Sequence, residues 1–273
     1  MLFAIAKFES NKIMPIIKQI VDDSNCFLYP ETNYKIVKYL DLTKFISLLQ
    51  QKKLFFCRLD KLEDRFEGIP GKATFENIVK RSIYKRDVDK FYKKELTDEQ
   101  IRQREEGLIK WNEKVLKSNF CVNCWNKFDY ESAALWKIYS DFKQGIMIKS
   151  SISNLVSSFE KSNEIIDLSE VSYNDHNRDI DESPIVTSSI IRKHMAYSYE
   201  RELRLIYKVS TNYDYDWTKE KVEEGIYIEA DLNILVDEII MSPYSPKWFI
   251  ELVENLSIKY GLIKKINKSE FSI

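Results

Sequence analysis

A chain of 273 residues with 44% apolar residues, 16 Tyr and 15 Phe can bury a sizeable core, which excludes global disorder. Its net charge is −1, with 31% charged residues of both signs interspersed, so whole-molecule attraction to nucleic acid or to an anionic membrane is not indicated. Six glycines without a phosphate-cradling loop, and no serine in a GxSxG elbow, exclude the common nucleotide loops and that hydrolase motif.

The first residues, "MLFAIAKFESNKIMPIIKQIV", carry no basic n-region, and Lys7 and Glu9 interrupt the apolar run, so a secretory signal is not expected. No stretch of 18 apolar residues predicts a membrane span. The expected location is cytoplasmic, with Cys26, Cys57, Cys121 and Cys124 as reduced thiols. Residues 1–33 read as an N-terminal extension with a short helix near 11–22, ended by "YPETN". Residues 34–273 read as one α+β domain. "YKIVKYL" (34–40) predicts a strand. Asp41 is placed to cap a helix whose Phe45, Leu48 and Leu49 form an apolar stripe, and "LFFCRL" (54–59) predicts the next strand.

Residues 72–118 are charged and helical, with Thr97 and Gln100 in capping-box spacing, and predict an inserted helical hairpin. Lys85, Arg86, Lys90, Lys93 and Lys94 sit near Tyr84, Phe91 and Tyr92. A solvated helix face is favoured over nucleic-acid contact for this group. "NFCVNCW" (119–125) predicts a strand, "ESAALWKIYSDF" (131–142) a helix stopped by Gly145, and "GIMIKS" a strand. "VSYND" (171–175) is a further short strand candidate, and 174–184 reads as loop. Residues 184–200 read as a helix and 201–209 as a strand. Residues 214–225 read as hairpin or loop, "IYIEA" pairs back, "LVDEIIMSP" is a late strand and 246–260 a helix. Short strands and helices without regular βαβ spacing predict a mixed or antiparallel sheet core of the α+β class.

The stretch "AYSYERELRLIY" (196–207) concentrates the chemistry. In a strand, Leu203, Leu205 and Tyr207 face the core, while Glu202 and Arg204 project together from the other face, about 7 Å apart along the strand, with Glu200 at its start. In a helix, Glu200 and Arg204 are instead an i,i+4 pair. On spacing alone, a salt-bridged surface strand competes with a site. "LDKLEDRFEG" (59–68) offers Asp60, Glu63, Asp64 and Glu67, which suit metal binding, a sugar hydroxyl or general base work, but capping of the next helix is favoured on spacing alone. The single CxxC, Cys121 and Cys124, would point to opposite faces of a strand, and no structural metal is expected. His176 and His194 are the two histidines; His194 reads as packed or exposed rather than catalytic.

Four blocks, "YKIVKYLDLTKFISLLQQKKLFFCRLDKLEDRFEG", "CWNKFDYESAALWKIYSDFKQGIMI", "VSY" and "KHMAYSYERELRLIY", together resemble a bacterial family known as domain of unknown function 2971. The matching residues are Asp64, Phe66, Glu67, Cys124, Trp136, Tyr139, Gly145, Tyr199, Glu200, Glu202 and Arg204. Glu63, Arg65 and Trp125-Asn126 depart from the family's usual residues. By analogy of layout, that family looks like a compact ADP-ribosyltransferase-type fold. The resemblance then implies NAD as substrate and a first-strand position held by Lys38 or Tyr39. It implies an aromatic surface from Trp136 or Tyr139, and Glu202 as the late-strand carboxylate. Asp64, Glu67, Glu200 and Arg204 complete the implied polar cleft. A toxin or phage-defence setting fits this reading, with a protein or nucleic-acid acceptor left open and no membrane partner. The sequence also leaves open a metal-dependent nuclease, with Asp64, Glu67 and Glu202 on Mg²⁺, and a non-catalytic binding module.

Overall fold

The computed structural model describes residues 29–62, 64, 69–88, 96–140, 143–180, 189–209 and 222–271. The expected helix at 11–22, Glu67, the Lys90–Lys94 part of the basic cluster and residues 214–221 of the expected hairpin or loop lie outside them.

The chain opens with strand β1 (Lys35–Leu40), helix α1 (Leu42–Gln51) and strand β2 (Lys53–Arg58). Asp41 caps α1 by accepting from the Lys44 amide at 2.7 Å. Lys52 ends it in the left-handed region (φ 53°), which turns the chain directly into β2. Phe45, Leu48 and Leu49 form its buried stripe. Helices α2 (Lys72–Val88) and α3 (Asp98–Asn119) then form the inserted hairpin. The capping box is formed: Thr97 N donates to Gln100 Oε1 at 2.9 Å, and Gln100 N donates to Thr97 Oγ1 at 3.2 Å. Arg102 on α3 ties down α2 through a two-pronged pair with Glu76.

Next come β3 (Phe120–Lys127), α4 (Ala133–Tyr139), β4 (Ile146–Ser151), α5 (Ile152–Ser157), β5 (Ile166–Glu170), β6 (Ser172–Asn174) and β7 (Arg192–His194). The chain continues with β8 (Glu202–Lys208), β9 (Gly225–Glu229), α6 (Leu232–Leu235), β10 (Glu238–Met241), α7 (Lys247–Lys259) and β11 (Lys265–Lys268). The main sheet is antiparallel apart from the β10–β11 pair, so the class is α+β, as the interleaving predicts. β6 and β7 form a separate parallel ribbon. No described helix is long and apolar enough to cross a membrane.

The sheet forks at β3. One side of β3 pairs with β8 along Phe120–Asn126. The other side is shared: β2 takes Cys121 and Val122, while β1 takes Asn126 and Lys127. Between them, two side chains bridge the gap. Asn123 Nδ2 donates to the Phe55 carbonyl at 2.8 Å, and Lys38 Nζ donates to the Cys124 carbonyl at 2.6 Å. Backbone groups that a neighbouring strand would satisfy are satisfied by side chains instead.

Both faces of the sheet are covered. One carries the large core of Ile36, Leu40, Cys121, Trp125, Leu203 and Leu205, closed by Phe249 and Val253 of α7. The other carries two smaller clusters. Val37, Tyr39, Leu135, Trp136, Met147 and Ile240 form one; Leu59, Phe120, Val122, Ile190, Ile191 and Ile206 form the other.

The helix expected over 184–200 is not formed in its described part. Residues 189–191 and 195–200 are 3-10 turns on either side of β7. The β-branched pair Ile190-Ile191 fills an apolar cluster rather than a helical stripe, and the His194 imidazole accepts from the Ala196 amide at 3.1 Å, starting a tight turn. "IYIEA" pairs with β2. β5, α5, α6 and β11 are elements that the sequence pattern does not announce.

Candidate functional site

Strand alternation on β8 decides the placement of the acidic motif. Leu203 and Leu205 enter the large core, and Glu202, Arg204 and Ile206 take the other face. That face is not open to solvent. The strap 189–200 crosses it, so Glu202 is 5% and Arg204 0% exposed. Glu200, the last residue of the second 3-10 turn, is buried beside them. Arg201, in the left-handed region (φ 45°), makes the sharp entry into β8.

A charged network results. Arg204 Nε donates to Glu202 Oε1 at 2.9 Å and Nη2 to Oε2 at 3.2 Å, a fork-to-carboxylate pair. Arg204 Nη1 also donates to the Ile190 carbonyl, pinning the strap. The Lys193 ammonium lies between the two acids, 2.6 Å from Glu200 Oε2 and 3.1 Å from Glu202 Oε2. It also sits 5.1 Å from the centre of the Tyr197 ring. The Tyr139 hydroxyl donates to Glu200 Oε1 at 2.7 Å. Asn126 Nδ2 holds the Glu200 carbonyl at 2.8 Å, and the Glu202 amide donates to the Tyr173 hydroxyl at 2.8 Å.

Electrostatics follow from this packing. Burial pushes the Glu202 carboxyl up, but Arg204 and Lys193 outweigh it and hold it down at about 2. Burial, with Glu202 nearby, pushes the Cys124 thiol well up, so it is no thiolate nucleophile. Burial lowers the Lys38 ammonium, opposed by Cys124 and Glu202. Burial and Glu200 both raise the Tyr139 phenol, which therefore stays a donor.

Of the sequence candidates, Glu200, Glu202, Arg204 and Tyr139 share one hydrogen-bonded network, and Lys38 adjoins it through the fork. Tyr39 and Trp136 lie in the neighbouring apolar cluster, ring centres 4.9 Å apart and edge-on. Trp136 is fully buried, with its indole N–H donating to Glu131 Oε2 at 3.0 Å. Its ring is packed as core and presents no open stacking face. Asp64 lies within electrostatic reach of His176, whose ring meets His194 edge-on at 5.0 Å, one residue from Lys193. Cys121 and Cys124 take opposite faces of β3. Sequence reasoning did not single out Lys193, Asn126 or Tyr173. Nothing in their local spacing marks them, because their partners lie on other elements.

One comparison supports the family resemblance. The family model described as Protein of unknown function (DUF2971) matches residues 135–205. That span runs from the buried face of α4 through Glu200, Glu202 and Arg204. Comparison with curated proteins returns no match. Among solved structures, the chain is similar to Thermus sp. 2.9 DarT in complex with carba-NAD+, at 8% identity and a TM-score of 0.35, over 89% of this chain and 98% of that one.

Proposed function

We propose that the chain performs NAD-consuming chemistry, ADP-ribosyl transfer or NAD glycohydrolysis, with Glu202 as the essential carboxylate. The observation that carries this reading is Glu202, held as a carboxylate by Arg204 and Lys193 on β8, the strand paired with the unforked side of β3. Cleavage of the nicotinamide–ribose bond develops positive charge on the sugar, and a fixed negative charge is the group that stabilises it. Arg204 orients Glu202, and Tyr139 orients Glu200. The acceptor, protein or nucleic acid, and a role in toxicity or phage defence are parts of the same proposal.

Two rivals differ in their demands. A non-catalytic binding module is favoured by one observation: both Glu202 oxygens already carry donors. A Mg²⁺ nuclease would need those same oxygens, and two cations face them; among the described residues no group of three His, Cys, Asp or Glu could hold a metal. Nicotinamide release from NAD tests the reading. Wild type should be active with chelator present, and Glu202→Gln should lose about two or more orders of magnitude. Chelator-sensitive nuclease activity without nicotinamide release would replace this reading with the metal one. Ligand binding without turnover would select the binding module.

A further inference from the structure

Two buried carboxylates lie two residues apart in sequence and share one ammonium. Arg204 reaches Glu202, and the Tyr139 hydroxyl reaches Glu200. Lys193 reaches both. We propose that Lys193 is the positioning residue of the site. Its charge compensates the two acids together and fixes the separation of their carboxylates.

The physical case rests on burial and distance. Like charges side by side in a low-dielectric interior repel strongly, and a cation between them reverses that repulsion. Lys193 is only 7% exposed, so its aliphatic stem is packed and its ammonium cannot wander. The segment that carries it is fixed at several points. β7 pairs with β6 in register Tyr173↔Lys193. Ile190 accepts from Arg204 and Ile191 fills the apolar cluster. The Tyr197 ring lies against the ammonium. A lysine held this firmly against two glutamates sets where they stand, and hence where Glu202 presents its charge. The catalytic consequence rests on the NAD reading above; the electrostatic arrangement does not.

The test is chemical rescue. Lys193→Ala removes the three methylenes and ammonium beyond Cβ, the outline of propylammonium. On NAD, at a temperature where both proteins are folded, Lys193→Ala should lose at least about tenfold in kcat with KM moved far less. Propylammonium should restore a saturable part of that loss, and propan-1-ol, of similar shape without charge, should not. A residue that merely fills space would respond to both or to neither, and either result overturns the proposal. If the wild type releases no nicotinamide, the NAD reading fails and the thermal midpoint decides. Propylammonium should then raise the midpoint of Lys193→Ala saturably by about 2–4 °C, beyond any effect of propan-1-ol or sodium chloride. No such difference overturns the proposal. Should Lys193→Ala fold poorly, refolding yield in propylammonium against propan-1-ol gives the same decision.

Discussion

Glu202→Gln is the sharpest perturbation of the fold as well as of the site. The substitution keeps the shape but removes the charge, leaving Arg204 and Lys193 facing a neutral amide in a buried setting. Breaking a buried pair on one side costs about 3–5 kcal/mol. The acid dependence gives an independent magnitude. The carboxyl is lowered from 4.5 to about 2 in the folded protein. At about 1.4 kcal/mol per pH unit this corresponds to about 3 kcal/mol, consistent with the first figure. Because the folded value is depressed, this stability is fully present above the unfolded value near 4.5 and is lost as pH falls toward 2. Equilibrium urea unfolding of both proteins from pH 7 to pH 2.5 should therefore show a gap of roughly 3 kcal/mol that is flat down to pH 5 and closes below it. A gap that stays constant through the acid range would show that the difference does not come from the Glu202 charge. A gap under about 0.5 kcal/mol at pH 7 would place the network among weak, solvated ion pairs and refute the burial argument.

Arg204→Lys keeps the charge but cannot reproduce both prongs on Glu202 and the bond to the Ile190 carbonyl; it should cost about 2 kcal/mol or more by urea unfolding. Lys38→Met leaves the Cys124 carbonyl in the fork without its side-chain donor, so a loss of about 1–3 kcal/mol is expected, with slowed hydrogen exchange at the fork counting against it. Trp136→Phe strips a donor from the buried Glu131 carboxylate and should lower stability by about 1–3 kcal/mol while leaving any NAD affinity unchanged; a large affinity loss at preserved stability would make the ring part of a binding surface.

The sequence is most legible where local chemistry and tertiary structure agree. Asp41 as a cap, the Phe45–Leu48–Leu49 stripe, the Thr97–Gln100 box and the Leu203/Leu205 alternation each need only nearest neighbours, and each is present. The region 189–200 fails for the opposite reason. Its form is set by Ile190 and Ile191 entering a distant cluster and by Lys193 meeting acids beyond the next turn, so its apolar spacing misleads. Alternation correctly separates Glu202 and Arg204 from the core face. It is blind to the strap above them, which turns an expected projecting pair into a buried one. β5 and β11 escape notice because "IDLSE" and "KINK" are short and mixed in polarity, and their partners supply the pattern they lack.

The fork has a consequence for how this chain reaches its final form. Its two bridging contacts join residues far apart in sequence, 86 positions between Lys38 and Cys124 and 68 between Phe55 and Asn123, and 74 positions separate Asn126 of the same strand from Glu200. Closing such contacts loses chain entropy before any of them is rewarded, so β3 should be ordered late and cooperatively, and folding should be slow for a chain of this size. The same entropy grows only logarithmically with the length enclosed: halving or doubling the excursion between β2 and β3 changes closure by roughly 0.6 kcal/mol. Chain closure is therefore nearly indifferent to the length of the α2–α3 excursion, so the cost of changing it lies in packed side chains such as Val79 and Ile101, while the register of β3 against β8 keeps Glu202 and Arg204 where they are.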